Sequence, residues 1–414
     1  MKFTELSEEQ FRNYFNISPL KTFLQTPEIG KLRQSNGWST HFVGVIENDE
    51  VIAASMLLSK PEFRGHLEFY APRGLLLNYQ NAKLLQFFVT ELKKYIQQRD
   101  GYILRIDPYL IKQQRDINGD IVKNGIDNRN IITELESLGF IKSEHDEQIV
   151  WAFSLDLDGK STEQILKEMK ANTRSRIKKT HEFGVTVREL GLEELNKFKE
   201  ITESTSERRS FMDKPLHYYE DMYRLFHDKQ EIRYLLAEIN LADYTKKLND
   251  ELEDTTKKIK ELPDSPSNRG KLKDLKILSQ SLEKKLIDAK KMHEENKNDI
   301  LILSGAMFMT VGDEIIYLFS GTKGEYMMFN GQYAIQWDMI QYGIEHGYKK
   351  YNFYGISGNF DKHHPEYGIY EFKKGFNGYV EETIGEYELP IGKHYKAFKR
   401  TTKLKRAIKK LVRK

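Results

Sequence analysis

The chain has 414 residues, 39% of them hydrophobic and 12% aromatic, which is enough apolar material for two cores and excludes a disordered body. With no Cys, disulfides, thiolate nucleophiles and Cys-ligated metals are also excluded. The net charge of +3 hides a polarity: eleven of the 65 basic residues fall between Lys393 and Lys414 with no Asp or Glu among them, while the remainder carries 62 acidic against 54 basic groups.

In chain order, the opening MKFTELSEEQ has neither a basic nor an apolar leader-like region, and no apolar run approaches the roughly eighteen residues of a membrane span. A cytoplasmic protein is expected, peripheral at the inner face of the plasma membrane if the basic tail meets anionic lipid. Helix signals occur at Ser7–Phe15 and Pro27–Gln34. Strands are expected at Thr40–Glu47 and Val51–Leu58, with Asn48-Asp49-Glu50 as the turn, and another ends at Tyr70. The loop Pro72-Arg73-Gly74, an amphipathic helix Ala82–Gln98 and the strand Tyr102–Ile106 complete an α/β unit with a mixed sheet, residues 1–150.

The same grammar recurs after a basic helix. Val185–Arg188 reads as a strand, Leu192–Thr202 and His217–Phe226 as helices, and Ile232–Ile239 as a strand. From Leu241 to Asn298 two charged helices fold back on each other around Pro263-Asp264-Ser265-Pro266, their apolar residues recurring at three- and four-residue steps. The chain then gives the hairpin Ile300–Thr310 and Glu314–Phe319, a helix Tyr333–His346 and a strand Lys350–Tyr354. The expected division is 1–150, 151–239 with 300–392, an antiparallel helical arm at 240–299, and a basic tail at 393–414. A cleft between the two α/β units is the expected site.

Asp107 directly follows an apolar strand and precedes Pro108, a position for acid/base chemistry or for capping a turn. Arg73 in its stiff loop can grip a carboxylate or phosphate, or make a structural ion pair. Lys31 is a weaker candidate. The basic segment Lys167–Lys179, with Lys170, Arg174, Arg176, Lys178 and Lys179, shows no apolar stripe and can run along phosphates or serve as an exposed linking helix. Lys405, Arg406, Lys409 and Lys410 in the tail suit RNA phosphates or an anionic bilayer. Arg208, Arg209 and the pair Tyr218-Tyr219 suit a uracil ring and diphosphate, or a core edge. Gly355 and Gly358 after Tyr354 let backbone approach a ligand, and Lys373 between Phe372 and Phe376 is too surrounded by aromatics to be wholly solvated. His363-His364 reads as a surface pair, no metal set or cofactor motif is expected, and direct attack of one bound substrate on another is favoured over a covalent intermediate.

Taken together, MKFTEL, Pro72-Arg73-Gly74, Ile106-Asp107-Pro108-Tyr109-Leu110, the paired helices, Tyr351–Gly358, Phe372–Phe376, Gly385-Glu386 and the basic tail resemble the Fem/MurM family of aminoacyl-tRNA-dependent peptidoglycan bridge transferases. The appearance is closest to the FemA/FemB glycyltransferase branch, from which Ala71-Pro72 departs, Ser-Asn standing there instead. The resemblance implies two acyl-CoA-acyltransferase-like (GNAT-like) α/β domains that bind no acetyl-CoA, and an inserted antiparallel coiled-coil arm. It implies transfer of glycine, alanine or serine from charged tRNA to the stem amine of lipid II or a UDP-linked muropeptide, with homo-oligomers or pairing among related transferases. By the same resemblance Asp107, Lys373, Lys31 and Tyr219, with the neighbouring Arg208 and Arg209, match or lie near positions implicated in substrate binding or turnover. Asp107 and Lys373 are the expected catalytic pair, and Lys31, Arg73, Arg208, Arg209, Tyr219, Tyr354 and Phe372 are expected to bind substrate. The rival readings are an acyl-CoA-dependent N-acyltransferase, for which no Q/RxxGxG/A turn is found, and a non-catalytic RNA-binding coiled-coil scaffold.

Overall fold

A computed structural model describes residues 1–209, 212–263, 265–296 and 298–412, with side chains described up to residue 403. The strands are β1 (Lys2–Glu5), β2 (Ser39–Glu47), β3 (Glu50–Phe63), β4 (His66–Ala71), β5 (Gly101–Ile106), β6 (Ile111–Gln114), β7 (Ile141–Lys142) and β8 (Trp151–Asp156). They continue as β9 (Val185–Glu189), β10 (Ile232–Asn240), β11 (Ile300–Val311), β12 (Glu314–Thr322), β13 (Lys350–Gly355), β14 (Tyr379–Thr383) and β15 (Tyr387–Pro390).

Two mixed sheets result. The first runs β1-β2-β3-β4-β5-β15-β7 and the second β6-β14-β8-β13-β12-β11-β10-β9. Each contains one parallel pair, β4 with β5 and β12 with β13, and in each the crossover is a helix, Ala82–Gln98 or Gly331–Glu345. Such a crossover is the usual way to join parallel neighbours. Ala82–Gln98 buries Leu85, Phe88, Leu92 and Ile96, spaced at helical three- and four-residue steps, against the first sheet.

The sheets also exchange strands. β6, directly after the Asp107–Leu110 loop, pairs with β14 of the second sheet; β15, directly after Gly385-Glu386, lies between β5 and β7 of the first. The Ile384 N–H donates to the Leu110 carbonyl at 3.0 Å, so the two crossing segments touch where they change sheets. These late strands were not expected from sequence because they are short and acquire their partners only across the molecule.

The inserted helices are Leu241–Glu261 and Arg269–Asn296, packed on each other. Leu241, Tyr244, Leu248, Leu282 and Ala289 are buried in the cluster that also holds the second sheet's core, so the hairpin is rooted in the body. Thr255 takes a buried seam position where a larger apolar residue would be usual. The basic helix Ala171–Phe183 differs from expectation: Thr173, Ile177 and Thr180 form a buried stripe, two of its three members too polar to register as apolar. The tail is also helical, His394–Val412, seated through Tyr395 and Phe398 on Phe63 and Tyr102. Among the described residues no helix is long and apolar enough to cross a membrane.

Candidate active site

Strand β5 delivers Asp107 to the point where the chain leaves the first sheet. Its carboxylate is 2% exposed, accepts the Arg73 backbone N–H at 2.6 Å and accepts the Tyr70 hydroxyl at 3.2 Å. Burial pushes this carboxyl up to about 7, against the opposing pull of the Arg73 guanidinium and N–H. Arg73 occupies the left-handed region, φ 54°, which turns its N–H onto Asp107 while its Nη2 donates to the Ile149 carbonyl at 2.7 Å.

Arg73 and Tyr354 share a narrow cleft with Tyr109, Asn352 and Glu381, residues drawn from the second sheet and from the loops that leave β4 and β5 of the first. The Tyr354 phenol is raised by burial, with Arg73 lowering and Asp107 raising it further, which puts the hydroxyl in the field of that pair. Sequence reasoning missed the cleft wall behind it. Lys350 bridges Glu314 at 2.9 Å and Glu381 at 3.0 Å, and the Tyr109 hydroxyl donates to Glu314 at 2.8 Å. Burial alone would depress the Lys350 ammonium, but the two carboxylates hold it well above its ordinary value. Tyr109 was visible as part of the Asp107 motif; its partners lie more than two hundred residues away.

Lys373, 5% exposed on the helix Tyr367–Lys374, turns its ammonium onto the backbone at the end of β13. Its Nζ donates to the Gly355 carbonyl at 2.6 Å and the Tyr354 carbonyl at 3.2 Å, and burial lowers its ammonium to about 7. Phe372 stacks edge-on against Tyr333 within the core margin. Side chains already stand close to both glycines of this segment: a Cβ would stand 3.2 Å from Ile149 at Gly355 and 2.6 Å from the Trp151 ring at Gly358.

Tyr219 is a core residue, fully buried, its hydroxyl donating to Asp213 at 2.6 Å. The exposed edge at this point belongs to the half-buried Tyr218, whose phenol is raised by burial and feels Arg33 and Tyr354. Helical alternation puts only one member of the pair inward. Lys31 is exposed and lies 3.3 Å from Glu8. Arg208 and Arg209 end the helix Leu195–Arg209, which runs a further two turns than expected; Arg208 donates to the Thr322 carbonyl at 2.9 Å and Arg209 lies near Tyr317.

The basic helix is divided. Arg174 turns inward to the Lys167 and Met169 carbonyls, and Arg176 donates to Asn330 at 2.9 Å over the Tyr333 ring. Lys170 pairs with Glu371 at 2.6 Å, whereas Lys178 and Lys179 face solvent. Lys405, Arg406, Lys409 and Lys410 lie on the tail helix, outside the described side chains. A larger cavity, about 210 Å³, lies between the first sheet and the tail helix, walled by Glu68, Arg105, Glu386 and Lys399.

Residues 6–403 match the FemAB family. The chain is 34% identical over 420 residues to Aminoacyltransferase FemA of Staphylococcus aureus strain MRSA252, covering 98% of this chain and 99% of that protein. The same figures hold for FemA of Staphylococcus aureus strain N315. Among solved structures, the crystal structure of FemX superposes with a TM-score of 0.78 at 22% identity, covering 97% of this chain and 99% of that one, which bears on the fold alone. A match across nearly the whole length, including both crossing segments and the inserted helices, leaves one assignment: this chain belongs to the FemAB family.

Proposed function

We infer that the chain is an aminoacyltransferase that moves an amino acid from charged tRNA to the amine of a peptidoglycan precursor. Its membership of the FemAB family supports that reading, and the observation that carries the chemistry is a buried carboxyl near neutrality at the seam of two sheets. The donor is glycine and the acceptor is the stem-lysine amine or growing bridge of lipid II. An aminoacyl ester is already activated, so the enzyme need only align it with a neutral amine and exclude water. The amine nitrogen attacks the ester carbonyl carbon, a C–N bond forms, and the bond to the ribose oxygen breaks. The proton lost from nitrogen goes to Asp107, whose carboxyl titrates where a general base works best at neutral pH, and then to the leaving ribose oxygen.

Arg73 and Tyr354 would orient the reacting groups. Lys373 acts through the loop: by holding two carbonyls it sets the backbone that carries Tyr354. Lys31, Arg208 and Arg209 would form the polar rim that meets the precursor. Lys178, Lys179 and the tail helix would meet tRNA phosphates or anionic lipid at the inner face of the plasma membrane. The two α/β units are GNAT-like domains, divided at 1–150 and 151–392 apart from the exchanged strands, and the helices at 240–299 form an antiparallel coiled-coil arm. The deciding experiment is transfer of labelled glycine, serine and alanine from their charged tRNAs to lysine-containing lipid II, repeated with acceptors bearing one and three glycines. A labelled muropeptide identifies donor and bridge position; no product from folded protein with any pair would overturn the reading.

A further inference from the structure

His66, Asp100 and His394 are separated along the chain by 34 and 294 residues, yet a donor atom from each lies within 4.8 Å of the other two. His66 opens β4 after a turn in which Arg64 and Gly65 have φ of 53° and 88°, and Asp100, φ 58°, immediately precedes β5. The Leu67 N–H donates to the Asp100 carbonyl at 3.2 Å at the start of the parallel β4/β5 pair, so the strand register places the two side chains together. His394 opens the tail helix. It is held by the Ile391 N–H, which donates to the Tyr102 carbonyl at 3.0 Å, and by buried Tyr395, whose hydroxyl donates to Glu388 at 2.9 Å. The His66 and His394 rings lie 3.7 Å apart, and His66 Nδ1 is 2.8 Å from an Asp100 carboxylate oxygen.

We propose that His66, Asp100 and His394 form a binding site for a zinc-class divalent transition-metal ion that clips the first turn of the tail helix to the end of the first sheet. Two imidazoles and one carboxylate are the donors that borderline ions such as zinc select, in contrast to the all-oxygen sets of magnesium and calcium. All three backbones are anchored, so only rotations of partly exposed side chains are needed to draw the donors to tetrahedral spacing. A fourth position is left to water, as Asp100 faces solvent. The site is not the cleft: Asp100 and Asp107 bracket opposite ends of β5, about 20 Å apart at the usual strand rise. Its consequence is mechanical, fixing the root of a basic helix that otherwise rests on Tyr395, Phe398 and the Lys399–Glu388 pair.

The test is zinc uptake by tag-free full-length protein, measured by competition with a chromophoric chelator. One zinc per chain is expected, with affinity about tenfold or more weaker in His394→Ala and Asp100→Asn. Cobalt should give visible d–d bands lost in the same variants, and zinc should slow hydrogen exchange around His394–Thr402. His363→Ala/His364→Ala, with circular dichroism unchanged, should bind as the parent does. Asp100→Asn is exposed and nearly isosteric, so its effect does not depend on a folding defect. No zinc uptake at micromolar free metal, unchanged affinity in both variants, equal uptake of magnesium, or loss on replacing His363 and His364 would each overturn the proposal.

Discussion

Asp107 accepts the backbone N–H of Arg73 at 2.6 Å, and that contact exists because Arg73 is held at φ 54°. A bulky residue in the left-handed region is uncommon and costs roughly 1 kcal/mol or more. The loop therefore trades local strain for a donor aimed at a buried carboxylate, and the guanidinium at its other end ties the same loop to Ile149.

Asp107→Asn should lower kcat by about 10²–10⁴ while leaving tRNA affinity unchanged, the range for loss of a general base. In the parent, turnover should rise with pH through about 7 as the carboxyl ionises. Arg73→Gln removes a cation that favours the ionised form, so the rise should move to higher pH. Single-turnover pH profiles check both; equal losses of kcat and tRNA affinity in Asp107→Asn would sink the assigned role.

Lys373→Met tests the loop brace through stability. The Lys373 ammonium is lowered to about 7 by burial, so between about pH 7 and the ordinary lysine range of about 10 the unfolded chain binds more protons than the folded one. Lys373 thus contributes stability that grows as pH rises through that window. Denaturant melts at pH 7 and pH 9.5 should show the parent gaining on Lys373→Met at the higher pH. Asp107 acts with the opposite sign, since its raised carboxyl costs stability as pH rises from about 4 to about 7.

Tyr219→Phe and Tyr218→Ala should separate a core tyrosine from a site tyrosine. Removing the Tyr219 hydroxyl leaves Asp213 without one of its donors, at a cost of about 1–2 kcal/mol, and should leave KM for the precursor unchanged. Tyr218→Ala should raise that KM, in addition to any stability lost with its edge-on contacts to Tyr219 and Phe319. Thermal melts and steady-state kinetics on both variants decide it.

Lys178→Gln/Lys179→Gln should reduce the salt dependence of tRNA binding, the slope of log K against log salt becoming shallower by about 1–2. Arg174→Gln and Arg176→Gln should instead lower stability, because these side chains satisfy Met169, Lys167 and Asn330. Filter binding at several salt concentrations, with melts alongside, distinguishes the two classes.

Local pattern carried much of the fold. Ser7 with Gln10 forms the capping box that starts the first helix, and the hairpin at Asn48-Asp49 falls where both residues take positive φ. The crossover helix Ala82–Gln98 and both inserted helices were legible from their apolar periodicity. Lys373 showed its burial through flanking Phe372 and Phe376, but not what it would touch, and Tyr218-Tyr219 showed an aromatic edge without saying which ring turned inward.

By itself the sequence determined the helices and strands with strong three-to-four or two-residue periodicity, the inserted pair of helices, the basic tail and the motif that holds Asp107. Tertiary structure alone decided that β6 and β15 change sheets, that Asp107 meets Arg73, that Lys350 sits between Glu314 and Glu381, and that His66 meets His394. The physical reason is range: periodicity and capping are properties of neighbours within a few residues, whereas these contacts join segments far apart in the chain whose proximity comes only from strand pairing and packing in the finished fold.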